Sequence, residues 1–194
     1  MAYQAVYFSR PLRFVSQSDV KINEYRELLH PVEFVAIKTD VGEPAGRNHI
    51  EIVQAKVLKA FGETRAAVFV DQTGLYLEAW QGLPGGLTNI FWQRLTLTGF
   101  LKLLANETNR KAMAITTIGY CNGRKIHIFQ GKLPGTIATE PRGDQDNQWD
   151  SVFIPRGETR TFAEMACQER LKISMRFTAA TDFKNHLLKQ RGRW

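Results

Sequence analysis

Three acidic side chains sit close to apolar runs of strand length: Glu43 and Glu51 lie beyond Phe34-Val35-Ala36-Ile37, and Asp71 directly follows Val68-Phe69-Val70. A magnesium ion that bridges phosphate oxygens takes one or two such carboxylates together with waters, so carboxylates at strand ends are candidate ligands. Lys21 falls in the first turns of a helical pattern behind Ser16-Gln17-Ser18-Asp19. An ammonium there would stand beside an anion held at the helix N-terminus. Trp149-Asp150 joins a ring face that can stack on a base to a carboxylate that can accept from its N–H edge, and Ser174-Met175-Arg176 offers a guanidinium to phosphate or to a base acceptor. Taken singly, each has a plain alternative: an acid in a turn, an exposed helix lysine, a tryptophan covering the core. His30, His49, His127 and His186 lack ligand spacing, Cys121 and Cys167 form no C-x-x-C pair, and no Ser-His-Asp or Cys-His arrangement stands out.

The elements that must position these residues follow from periodicity. Residues 5–8 and 13–16 have strand character, and residues 20–29 are helical, with Ser18 or Asp19 available as N-cap and Pro31 past the end. Residues 33–37 predict a second strand, 40–44 an acidic turn, and 50–61 a helix ending at Gly62. The run 66–70 predicts a strand buried on both faces that delivers Asp71-Gln72-Thr73-Gly74 to the end of a sheet. A turn at 82–86, helical stretches at 89–95 and 100–104, and a hairpin of 113–120 and 125–131 around Asn122-Gly123 come next. A polar loop over 141–151 and helices over 161–171 and 177–188 close the chain. Helices and strands that alternate before a hairpin predict a mixed α/β sheet. Its ligand crevice is expected at the strands' carboxyl ends, around Ser16, Glu43 and Asp71.

The 194 residues carry 26 Lys+Arg against 19 Asp+Glu, a formal charge of +7, and are 43% hydrophobic, which excludes disordered and fibrous classes. A chain of this size buries about 70% of its unfolded surface, enough for one domain. Met1 to Arg10 lacks the pattern of a signal peptide, and no run nears the roughly 18 apolar residues of a membrane span. A soluble, reducing, cytoplasmic setting without a membrane partner is therefore expected. Part of the basic excess lies in Lys184, Lys189, Arg191 and Arg193, which favours anionic ligands in general. Nucleic acid is not the expected partner, because that stretch interleaves only Phe183 and Trp194.

In combination and in order, these signals are more specific. Phe14-Val15-Ser16 with Lys21 and Glu24, Val70-Asp71-Gln72-Thr73-Gly74-Leu75, Gly82-Leu83-Pro84-Gly85, Pro141-Arg142-Gly143 with Trp149-Asp150 and Phe153-Ile154-Pro155, Thr161-Phe162-Ala163-Glu164-Met165 and Ser174-Met175-Arg176 together resemble the inosine triphosphate pyrophosphatase family. The resemblance covers nearly the whole chain. It implies an elongated two-lobed mixed sheet flanked by helices, residues 1–194 forming one such domain with a nucleotide cleft between the lobes. It further implies a homodimer, for which the bulky stretch 83–95 with Phe91 and Trp92 is the candidate surface. The implied activity is magnesium-assisted conversion of a nucleoside triphosphate, such as an unusual purine nucleotide, to the monophosphate and pyrophosphate.

By the same resemblance Glu43 and Asp71 would hold Mg²⁺, and Lys21, Asp71 and Gln72 would form the catalytic set. Ser16, Ser18, Lys21, Thr73, Gly74, Trp149, Asp150, Arg170, Ser174, Met175 and Arg176 would bind substrate. Three departures stand out. Ser16-Gln17-Ser18 replaces Thr-Gly-Asn, Gln72 replaces the second acid of Asp-Asp-Ser-Gly, and Met175 replaces the histidine of Ser-His-Arg; Asn147 and Gln148 also replace an aromatic and a glycine. An amide cannot accept a proton at neutral pH, so two readings stay open: a hydrolase of altered substrate range, or a nucleotide-binding protein that keeps the cleft without hydrolysis.

Overall fold

The structure is a computed structural model and describes residues 11–42, 48–144 and 148–190. The strand expected at residues 5–8, Glu43, Asn147, Arg191 and Arg193 lie outside the described residues. Six strands form one mixed sheet in the order β2-β1-β3-β4-β5-β6. The first three are parallel: β1 (Leu12–Val15) lies between β2 (Phe34–Ile37) and β3 (Val68–Leu77). The connections that make this possible are helices, α1 (Asp19–Leu29) and α2 (His49–Thr64). Beyond β3 the sheet is antiparallel, through β4 (Lys111–Cys121), β5 (Ile126–Ile137) and the short β6 (Phe153–Pro155). The β4–β5 turn is the expected one: Gly123 takes φ 90°, and the Asn122 carboxamide accepts from the backbone of Arg124 and Lys125.

Four expectations need correction. Asp71-Gln72-Thr73-Gly74 does not close a strand; it lies in the middle of β3, which pairs with β4 at all ten positions from Val68↔Cys121 to Leu77↔Ala112. The parallel neighbour is what stops, since β1 ends at Val15 and registers only with Val68 and Phe69, so the polar residues of β3 stand just past its end. Helix α2 does not stop at Gly62; it runs on to Thr64 and is capped by Arg65 in the left-handed conformation. Residues 161–171 are not one helix: a 3-10 turn at Phe162–Glu164, closed by the Thr161–Glu164 capping box, is separated by extended Met165 and Ala166 from α4 (Cys167–Ile173). The closing helix starts earlier than expected, so that α5 (Met175–Lys189) carries Met175 and Arg176 in its first turn behind Ser174 as N-cap. The two stretches at 89–95 and 100–104 form α3 (Thr88–Leu103), broken where Thr96 leaves helical geometry.

The long strands serve two cores in succession. Phe69, Ile118 and Tyr120 pack with α1 and α5 residues such as Tyr25 and Phe183. Further along the same strands Leu75, Leu77, Ala112 and Ala114 pack with Trp92 and Phe100 of α3 and with Trp149, Phe153 and Phe162. Between the two clusters this face turns polar, and Thr73 meets Thr116 at 2.9 Å; on the other face, level with Gln72, Gln130 donates to Thr117 at 3.0 Å. On the opposite face α2 covers β3 and β4 through Val53, Val57 and Ala60. No described helix is long and apolar enough to cross a membrane.

Candidate functional site

The interruption between the two cores opens a cavity of about 340 Å³ lined by Ser18, Lys21, Glu24, Gln72, Thr73, Trp149, Asp150, Arg170, Ser174, Met175 and Arg176 among others. Each wall has a local cause. Ser18 caps α1 by accepting from the backbone N–H of Lys21, which fixes Lys21 in the first turn, and Ser16 accepts from the backbone of Ser18. The start of α5 lies directly on β5: a Cβ on Gly131 would come within 1.8 Å of the Met175 carbonyl oxygen, so only glycine allows this approach. Ser174 accepts from the Phe177 N–H and donates to the Leu171 carbonyl, joining α4 to α5.

Strand alternation sends the acid–amide pair to opposite faces. Asp71, 3% exposed, turns towards α1 and α5, where Lys21 Nζ donates to Oδ1 at 2.9 Å and Arg176 Nε lies 3.7 Å from Oδ2. Gln72 turns towards α2, where the buried Lys56 ammonium donates to its side-chain oxygen at 2.9 Å and to the Asp71 carbonyl at 3.3 Å. Burial pushes the Asp71 carboxyl up, but Lys21 and then Arg176 outweigh it and hold the group below the usual carboxylate value. Asp71 is thus an anion and a weak proton acceptor at neutral pH.

A second, longer chain of charges continues from Arg176. Its guanidinium donates to Glu24, sits 6.0 Å from the Tyr25 ring centre and reaches Thr73 at 3.5 Å. Glu24 also faces Arg170 at 3.8 Å, and Arg170 donates to Asp150 at 2.9 Å. Burial opposes the charge on Arg176, yet Glu24 and Asp71 keep its pKa above the ordinary arginine value. At Asp150 burial wins: it pushes the carboxyl up to about 6 despite Arg170 and Arg176.

The structure therefore brings Ser18, Lys21, Gln72, Thr73, Trp149, Asp150, Arg170, Ser174, Met175 and Arg176 onto one cavity, with Asp71 paired to Lys21 and Arg176 at its edge. Trp149 lines the cavity and packs edge-on to Phe153 in the core. Gly74 is not among the lining residues of the cavity and lies against His49 and the Gly85 carbonyl. Glu51 is exposed on α2.

Sequence reasoning passed over Lys56 and His49. Lys56 is 9% exposed on the same helical face as Ile52, Val53, Val57 and Ala60, and a lysine on an apolar face is the signal that marks it. His49 is 2% exposed, neither ring nitrogen makes a well-formed hydrogen bond, and burial lowers its pKa to about 4, so it is a neutral wedge between α2 and β3. Among the described histidines, His127 and His186 also meet, with ring centres 4.4 Å apart, between β5 and α5.

Of the two carboxylates expected to hold a divalent cation, Asp71 lies among the described residues and Glu43 outside them. No cluster of three His, Cys, Asp or Glu side chains is arranged to hold one among them. Asp71 Oδ1 is committed to Lys21; Oδ2 and Arg176 Nε both lack a hydrogen bond but face each other as an ion pair; and the Gln72 oxygen is taken by Lys56.

Comparison with known proteins agrees with this geometry. The profile of the Ham1 family matches residues 12–186. The dITP/XTP pyrophosphatase of Thermococcus kodakarensis is 36% identical over 178 residues, which is 91% of this chain and 96% of that protein. Inosine triphosphate pyrophosphatase 1 of Trypanosoma cruzi is 36% identical over 152 residues, 77% of this chain and 78% of the relative. A HAM1 protein from Coxiella burnetii shares the fold with a TM-score of 0.80 and 25% identity, over 92% of this chain and 98% of that one. With a six-stranded sheet of this topology and a match over nearly its full length, the chain belongs to the Ham1 family.

Proposed function

We propose that the chain is a nucleoside triphosphate pyrophosphatase, a hydrolase of acid anhydrides, acting on unusual purine nucleotides of the kind named for its relatives. The observation that supports this best is the cavity itself. Lys21 and Arg176 present cations beside the polar residues of β3, and Trp149, Asp150 and Met175 line the same cavity. The cations suit a triphosphate, and the indole and thioether suit a base. In the reaction a water oxygen bonds to the α-phosphorus, the bond from that phosphorus to the bridging oxygen breaks, pyrophosphate leaves, and one proton is released. Lys21 and Arg176 neutralise charge on the phosphoryl oxygens, and positioning supplies most of the rate. Asp71 orients Lys21 and is the acid paired with both cations. A divalent cation would be held by Glu43 and by Asp71, whose Oδ2 makes no hydrogen bond, and when bound would neutralise charge on the polyphosphate. Assembly as a homodimer through residues 83–95 belongs to the same reading: Leu83 and Ile90 are exposed there, while Trp92 packs inward on Phe100.

The test is a panel of nucleoside triphosphates with unusual and ordinary bases, with monophosphate and pyrophosphate both quantified. Equal release of the two from one base class is the expected result, and release of orthophosphate alone would overturn it. The second reading, binding without hydrolysis, is favoured by one observation: Gln72 is an amide already engaged by Lys56. Silence across the panel together with measurable nucleotide binding would establish that reading instead.

A further inference from the structure

One buried hydroxyl beside Asp71 and Arg176 has no task in the packing. Tyr25 is fully buried, and its ring completes the aromatic cluster on α1, β1 and β3, edge-on to Phe14 at 4.9 Å and to Phe69 at 5.4 Å. A phenylalanine would fill that place equally well. The added hydroxyl makes no well-formed hydrogen bond, and a buried hydroxyl left so costs stability. Its position follows from two periodicities. Lys21 and Tyr25 are four apart on α1 and share its inner face, while Phe69 and Asp71 are two apart on β3 and share the face towards α1. With the ring on Phe69 and Lys21 on Asp71 Oδ1, the ring's polar tip stands by the Asp71 carboxylate and the Arg176 guanidinium, the two charges that act on it most strongly. Three polar atoms thus meet without a hydrogen bond: Tyr25 Oη, Asp71 Oδ2 and Arg176 Nε, the last two 3.7 Å apart. Two can donate and one accepts, so two donors are available for a single carboxylate oxygen.

We propose that Tyr25 is a positioning residue that holds Asp71 when nucleotide binds: the polyphosphate draws the Arg176 guanidinium towards its oxygens, and the Tyr25 hydroxyl donates to Asp71 Oδ2 in its stead. The proposal rests on the cavity being a nucleotide site. Asp71 keeps a partner on each oxygen, so Lys21, which it orients, stays in place while Arg176 moves. Without the hydroxyl, Arg176 serves the carboxylate or the phosphate and not both. A carboxylate oxygen has two lone pairs, so this bond leaves Oδ2 able to face a cation as well. The stability lost to an unpartnered hydroxyl in the nucleotide-free chain is recovered on binding.

Tyr25→Phe tests this by setting stability against affinity. In urea unfolding of the nucleotide-free chain the variant should match or exceed its parent, because only an unpartnered hydroxyl is lost. In calorimetric titration with Mg²⁺ present, the ligand is inosine triphosphate made non-hydrolysable by a methylene between its α and β phosphorus. There the variant should lose about tenfold in affinity, the worth of one hydrogen bond to a charged group. The same loss is expected for inorganic tripolyphosphate, which has no base. A variant less stable than its parent without nucleotide would overturn the proposal, since the hydroxyl would then serve the unbound fold. Parent-like affinity for the nucleotide, or a loss that tripolyphosphate does not share, would overturn it as well and leave the function reading intact. No binding of either ligand by the unaltered chain would overturn both.

Discussion

Asp150 is a half-buried carboxylate whose pKa is pushed to about 6 from an ordinary 3.8, and the consequence runs opposite to that of most acids in folded proteins. The gap of about two units, at roughly 1.36 kcal/mol each, makes its ionised form cost about 3 kcal/mol in the folded chain relative to the unfolded one. Above pH 6 both states hold the anion and the full cost is present. Between pH 6 and 3.8 the native state binds a proton that the unfolded chain does not, so the contribution to stability rises as pH falls. Asp150→Asn removes the titration and keeps the shape. The variant should therefore match the parent near pH 4 and exceed it by up to about 3 kcal/mol at slightly alkaline pH, as read by urea unfolding across that range. Other titrating groups are common to both proteins and cancel in the difference. Nucleotide affinity should move the other way, rising through pH 6 in the parent as the acceptor ionises and dropping in the variant. A stability difference that is flat with pH, or a variant weaker than its parent at alkaline pH, would refute the reasoning and show that Arg170 holds Asp150 fully ionised.

Gly74→Ala should destabilise by about 1–3 kcal/mol in urea unfolding, because its Cβ would come 2.4 Å from His49 Nε2 and 2.5 Å from the Gly85 carbonyl oxygen; an unchanged midpoint would mean that α2 can move away from β3 freely. Glu24→Gln leaves Arg176 and Arg170 sharing a neutral partner in a buried site and should cost about 3 kcal/mol, with loss of nucleotide affinity measured alongside; a cost near zero would mean that water reaches the two guanidinium groups. Burial, and for His186 the neighbouring His127 as well, lowers the pKa of both rings of that pair, so the unfolded chain takes up their protons first and stability should fall as pH drops below the ordinary histidine value of 6.5. The His186→Phe variant should flatten that fall, and an unaltered pH profile in the variant would sink the assignment.

The parts of the fold legible in the sequence are those governed by local chemistry. Asn122-Gly123 specifies its turn through one carboxamide and one left-handed glycine, and the apolar run at 66–70 specifies a strand. The stretch after that run misleads for a physical reason. Asp, Gln, Thr and Gly are depleted in strands and read as a turn, but ladder pairing with β4 and the Thr73–Thr116 bond carry the extended chain through them. The same override places the site in the middle of the sheet, where polar residues separate two apolar cores, and not at its rim. Residue types at the site were readable one by one, whereas their pairing was not: Arg176 meets Glu24 across 152 positions and Lys21 meets Asp71 across 50. Such contacts depend on where α5 is seated on β5, which Gly131 permits and no periodicity reveals.

Those pairings also show that Gln72 has a structural partner of its own and is not only a missing acid. In sequence it is a missing acid next to Asp71. In the folded chain the two side chains leave β3 on opposite faces, so Gln72 does not share Asp71's partners; it meets Lys56, a lysine that α2 has carried into an apolar face. A buried ammonium needs hydrogen-bond acceptors to be tolerated, and the Gln72 amide oxygen and the Asp71 carbonyl are two of them.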